Sequence, residues 1–492
     1  MAKRLFGTRI GLRARLLLAV AGFSMSAGLA LQAQDSVPFA PEPAFAVPSG
    51  EGQPREPKER PLSGRLPDKP SLPPTLSIPV EPLGFSAPPS IYLGERFSMA
   101  SLDFLDENRL LFTFRVPGLM HREAGNGAES DEHQIRAVVL VLPAGAVQAE
   151  ALWTFHDRAR YLWMLKDGHF LLRDRDGLQQ GDATLALKPF LHFPGPLLWL
   201  EMDPMQQFLV TNSREPAAPK AGEAASQTNH PGDQDPSPGT PVNHPGDQDP
   251  SPGTPVTAEA SIVVDGQKPP KESDPPQTDL VVRILRRDSG QVMLVSRTRA
   301  AIHLPINEDG YLEGLRGNGQ LWLLNLNFFT GGSKVLGRVD SMCSPVFDFV
   351  SQREVLVTTC AAGGARNLVA VDTGGRRLWG DSTQATEAWP LVVRSPDGSR
   401  LAWETLAVSH AINSYSPLYR EDVKGQLVRV FDAADGHVAL ESQASPALDA
   451  GGNVAISPSG RRVAVINAGA IQIFELPAPA ALVDGVGNQA GR

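Results

Sequence analysis

The chain has 492 residues, 41% hydrophobic and 20% charged, so it carries enough apolar material for a large core. A net charge of −9 and a pI near 5.6 leave no basic field to attract nucleic acid or acidic lipid. The 46 Gly and 44 Pro are unevenly spread, which marks a chain rich in turns and broken by linkers.

Residues 1–33 read as a secretory signal peptide. Lys3, Arg4, Arg9, Arg13 and Arg15 form a basic start, "LLLAVAGFSMSAGLAL" (16–31) an apolar centre, and Ala30 and Ala33 offer small residues for cleavage. An uncleaved anchor is the alternative. The apolar run is shorter than the ~20 residues a span needs, and no cysteine follows it to carry a lipid. The expected location is therefore the periplasm or the exterior. No transmembrane span is expected after cleavage.

Residues 34–89 read as a proline-rich disordered linker, with 15 prolines between positions 38 and 89. Proline lacks an amide donor and fixes φ, which favours extended, solvated chain.

Seven strand–turn–strand hairpins follow. Two are sharp: "RSPDGSRLAW" (394–403) and "ISPSGRRVAV" (456–465) set Ser-Pro-x-Gly before arginine and an apolar run. Proline presets the second turn position and glycine tolerates the exit geometry. Looser copies lie at 99–114, 159–174, 197–212, 301–316 and 344–359. Each hairpin is followed by a third strand, for example "AVVLVLPAG" (137–145) and "QLVRVFDAADG" (426–436), and then by a short fourth. Units of four strands and roughly 40 residues predict an all-β fold, a β-propeller of seven four-stranded blades. The strand "SIYLGER" (90–96) is expected to close the ring, leaving 478–492 as a tail. The phrases at 395–402 and 457–464 resemble the repeat motif of the WD-repeat-like and TolB-like propeller families, which include exported bacterial proteins. The Gly-His and Trp-Asp marks of true WD repeats are absent.

Three insertions fall between second and third strands, at 117–134, about 213–278, and 407–425. The middle one contains "NHPGDQDPSPGTPV" twice in tandem (229–242 and 243–256), a spacer with no apolar stripe. The third combines aromatic area with hydrogen-bonding tips in His410, Tyr415, Tyr419 and Arg420. His121 and Arg122 of the first are expected to approach it, because one unit alone separates them around the ring. These six are the candidate binding residues. The two cysteines, Cys343 and Cys360, bracket one hairpin and are expected to form a disulfide as directly opposed strand partners.

No nucleophile elbow, zinc motif, phosphate loop or ligand-spaced cysteine pair is present, so no catalytic residue, metal or cofactor is assigned. The inner-strand entries (98–100, 159–161, 197–199, 301–303, 345–347, 389–391, 453–455) read as mostly apolar, with His303 and Asn453 as the polar candidates. Two functions stay open. One is an exported, non-enzymatic scaffold binding protein, peptide or glycan through loops on one face. The other is a hydrolase or lyase with an unrecognised site in the central channel.

Overall fold

The computed structural model describes residues 66–88, 91–92, 98–118, 132–156, 160–217, 278–298, 303–412 and 418–479. The signal-peptide reading and the tandem spacer lie outside them. Seven antiparallel blades follow one another along the chain and form a β-propeller. Blade one comprises strands Ala100–Asp106, Arg109–Arg115, His133–Val141 and Ala146–Phe155; blade two, Leu162–Met164, Phe170–Asp174, Gly177–Gly181 and Lys188–His192. Blade three comprises Leu197–Met202, Phe208–Pro216, Thr278–Arg286 and Val292–Thr298. In blade four the inner strand shrinks to a single bridge, Ile306 to Tyr311, before Gly310–Arg316, Leu321–Phe328 and Ser333–Asp340. Blades five and six run Val346–Phe349, Glu354–Cys360, Arg366–Asp372, Arg377–Ser382 and then Glu387–Arg394, Arg400–Val408, Val423–Asp432, Val438–Ala444.

Blade seven joins the two ends of the described chain. Its inner three strands are Val454–Ile456, Arg462–Asn467 and Ala470–Glu475, and its outermost is Leu76–Pro79, with Leu76 paired to Ile473 and Pro79 to Ala470. The closing strand therefore comes from within the proline-rich stretch and not from 90–96, of which Ile91–Tyr92 instead pairs in parallel with Ala447–Leu448. Proline is tolerated here because an edge strand needs only alternate amides in its ladder. Beyond the strand, Phe85 stands edge-on to Phe112 at 5.4 Å and to Phe114 at 5.3 Å, tying the segment to blade one.

The repeated Ser-Pro-x-Gly phrase has a local and a relayed role. In blade six the Ser395 hydroxyl donates to Asp397 (2.6 Å), which also accepts from the Ser399 amide (2.9 Å). Gly398 adopts φ +77° and closes the turn onto the Ser395 carbonyl. A Cβ at Gly398 would meet the Val350 carbonyl of blade five at 2.6 Å. The Asp397 amide in turn donates to the Pro458 carbonyl of the second copy, at 3.2 Å. The two phrases touch each other, so each turn braces the next blade.

Between blades the core is layered. One cluster joins blade seven to blade one through Ile466, Ile471, Phe112 and Phe114, and another joins blade five to blade six through Trp379, Trp403 and Phe431. Buried cations are paired with care: Arg429 forks onto Glu387 at 2.9 and 2.7 Å, and Arg283 clamps Glu215 with one contact of 2.8 Å. Cys343 and Cys360 lie 5.5 Å apart, Cα to Cα, with their sulfurs in contact. The register is one residue away from the expected one. Val346 pairs with Thr358, so Cys343 sits ahead of the strand and not directly opposite Cys360.

Candidate functional site in the central channel

Each of blades one to six sends one charged side chain toward the axis from the inner strand or just ahead of it. In chain order they are Asp103, Arg160, Glu201, His303, Asp348 and Arg394. Their signs alternate around the ring. Asp103 acts electrostatically on Arg160, Arg160 on Glu201, and Asp348 on Arg394. Arg160 and Arg394 belong to blades far apart in sequence, yet each feels the other, as do Glu201 and Asp348. Such coupling across the ring requires that the groups converge. The inner strand of blade seven, Val454–Ile456, is apolar.

At the centre of the array, His303 Nδ1 faces Glu201 Oε2 at 3.0 Å. His303 Nε2 lies 2.8 Å from the Phe347 carbonyl oxygen and 3.7 Å from Asp348 Oδ1. Burial alone would pull this imidazole down. The Glu201 contact, the charges of Glu201 and Asp348, and the Phe347 carbonyl outweigh burial and lift it to about 9, so it is an imidazolium at neutral pH. Burial pushes Asp348 up to about 6 against the pull of Arg394 and His303. Burial likewise raises Asp103 to about 6, against the Ser101 hydroxyl (2.6 Å) and Arg160. Arg160 is held below its usual value, first by burial and also by Arg394. Yet Arg160 is reached by solvent, and His303 and Asp348 keep 33% and 26% of their side-chain surface accessible. Solvent contact combined with surrounding protein is what a narrow, wetted channel produces. Trp199, 43% exposed, stands edge-on to the His303 ring at 6.1 Å.

Glu201, His303 and Asp348 are a donor set of the type that holds divalent cations, their atoms lying within 4.8 Å of one another. The ring geometry does not favour one ion, because the two carboxylates address different nitrogens and Nε2 already faces the Phe347 carbonyl. What the arrangement does directly is present fixed, neighbouring charges of both signs to whatever enters.

The expectation of an apolar channel is thus corrected. Arg160 stood within an entry triplet, and Asp103, Glu201, Asp348 and Arg394 lie one to three residues further along their strands. The signal open to the sequence was one charge of alternating sign on six consecutive inner strands. His303 was singled out and belongs to the array. Asn453 does not. Its side-chain amide donates to Gln426 (2.7 Å) and to the Pro446 carbonyl (3.1 Å), and it is fully buried.

Of the six loop candidates, His121, Arg122 and Tyr415 fall outside the described residues. His410 Nδ1 contacts the Ser409 hydroxyl at 3.0 Å and lies 3.5 Å from Asp422; Tyr419 is 57% exposed, beside Arg420 in a short 3-10 turn. All three insertions do leave between second and third strands, at 115–133, 216–278 and 408–423. In an up-and-down blade that junction opens on the same face each time, the face where the inner strands begin.

No protein-family model matches the chain, and no curated protein does. Solved structures with similar folds include the acylaminoacyl peptidase of Pyrococcus horikoshii, at 9% identity and a TM-score of 0.39. That match covers 75% of this chain and 49% of that one. The chain thus spans about half the length of the acylaminoacyl peptidases it matches. The β-propeller domain of the Trilobed protease from Pyrococcus furiosus is similar at 9% identity and a TM-score of 0.37, covering 79% and 99%. TolB from Acinetobacter baumannii is similar at 12% identity and a TM-score of 0.32, covering 73% and 79%. The class of protein is a seven-bladed β-propeller. Among the described residues no helix is long and apolar enough to cross a membrane.

Proposed function

We propose that the chain is an exported, non-enzymatic propeller that binds a protein, peptide or glycan partner through the face carrying its three insertions. The observation that carries this reading is topological: all three insertions leave at the same junction, around the mouth of the channel. Long loops on a rigid scaffold are where binding residues concentrate. Tyr419 and Arg420 supply exposed aromatic and cationic area there. The test compares recovery of partners by wild type and by the Tyr415→Ala/Tyr419→Ala/Arg420→Ala variant from an exported fraction, with matched circular dichroism. The reading expects a loss of partner; unchanged recovery defeats it.

A hydrolase or lyase working in the channel is the second reading, and the Glu201–His303–Asp348 cluster is what favours it. His303 is poorly suited to act as a base, because the flanking carboxylates keep it protonated. Its proton remains available for general-acid work.

A further inference from the structure

Two of the channel charges differ from the forked ion pairs of the interior. Arg429 forks onto Glu387 and Arg283 onto Glu215, while the buried Arg400 makes a single 3.0 Å contact with Asp432. Arg160 and Asp348 make no carboxylate–guanidinium contact at all among the described residues. Arg160 spends its Nε on the Leu162 carbonyl (3.2 Å) and lays its guanidinium over the Trp163 ring at 5.3 Å. Among the described residues its two terminal amino groups have no hydrogen-bond acceptor. The Asp348 carboxylate likewise accepts no hydrogen bond there, and its nearest cation is His303 at 3.7 Å. The Arg160 guanidinium and the Asp348 carboxylate thus keep open hydrogen-bonding capacity, both are reached by solvent, and both interact electrostatically with Glu201 and Arg394, which places them around the same channel. A purely structural ring of ion pairs would have closed these forks, as Arg429 and Glu387 do.

We propose that the channel is a binding site for a zwitterion with a free ammonium and a free carboxylate, an amino acid or the ends of a short peptide. Asp348 receives the ammonium and the Arg160 guanidinium receives the carboxylate, bidentately. The array is balanced, with Asp103, Glu201 and Asp348 against Arg160, His303 and Arg394. It therefore exerts little net pull on a simple ion of either sign and suits a guest that brings both charges. Trp199, exposed beside His303, offers an apolar face for the guest's side chain. This site does not depend on the insertion face, and either reading can fail while the other stands.

Titration calorimetry on the full chain decides the matter, with L-leucine and the tripeptide Ala-Leu-Ala as probes. The tripeptide is used with free ends, N-acetylated, and C-amidated. A free-ended probe is expected to bind, and blocking either end should weaken it about ten-fold or more, the loss of one charge-assisted contact. Asp348→Asn, which keeps the shape of the side chain, and Arg160→Gln, which removes the guanidinium, should do the same. Leucine binding and tripeptide binding distinguish a free amino acid from a peptide end. Absence of heat with both free-ended probes at millimolar concentration overturns the proposal. So does binding that is indifferent to end-blocking, an outcome that needs no variant to fold.

Discussion

Glu404, on the second strand of blade six, is fully buried and has no cation beside it among the described residues. Its Oε2 accepts from the Gln426 side chain at 2.7 Å, and its Oε1 accepts nothing among the described residues. Burial alone raises its carboxyl from 4.5 to about 8, so at neutral pH it is a neutral acid. Because the folded state holds this proton more tightly than the unfolded chain does, stability is greatest below pH 4.5 and falls as pH rises toward 8. The expected slope from this one group is about 1.4 kcal/mol per pH unit. Glu404→Gln should remove that slope in urea melts run from pH 5 to pH 8, and should raise stability most at the alkaline end. An unchanged slope in the variant would show that the carboxyl is ionised in the fold.

The strand Leu76–Pro79 and the turn after it are the elements on which closure depends. Ile78, Val80, Leu83 and Phe85 are all buried, each worth about 1.5–3 kcal/mol. A chain starting at Leu66 should therefore keep its melting temperature, whereas one starting at Ser90 should lose about 10 °C and aggregate through the bare edge of Ala470–Glu475. Equal melting of the two would mean that the strand is dispensable. Blade five offers a second element-level test. If Cys343 and Cys360 are bridged in the folded protein, thiol titration of the denatured, unreduced chain should find no reactive group. Reduction should then cost about 3 kcal/mol, as expected for closing so short a loop. Two reactive thiols would defeat the bridge.

For the molecule as a whole, the blade pattern was legible because turn chemistry is local. Ser-Pro-Asp-Gly and Ser-Pro-Ser-Gly name their own conformation, and the looser copies repeat the strand–turn–strand pattern at intervals that the insertions stretch. The closing strand was hidden for the opposite reason. Leu76–Pro79 has one proline at its end and two just before it, and what makes it a strand is a partner almost 400 residues away, the Ile473 carbonyl that Thr75 also reaches. The channel array was hidden by perspective. Asp103, Asp348 and Arg394 each read as an ordinary polar position on a strand, and only the ring brings them face to face. The two cysteines were visible as neighbours across one hairpin, while their register was displaced by one because the loop at 350–353 is not a symmetric two-residue turn.

The apolar inner strand of blade seven has a geometric consequence. Seven seats cannot alternate in sign without placing two like charges side by side, so one seat must be empty, and here it falls in the blade that joins the first and last described strands. The ring is open at that seat, with the positive Arg394 on one bank and the negative Asp103 on the other. A circle of balanced charge with one gap has no monopole but does have a transverse dipole, running from one bank to the other across the axis. The channel is consequently polarised sideways, although its total charge is balanced, and a dipolar guest passing along it would be turned to a single orientation before touching any side chain.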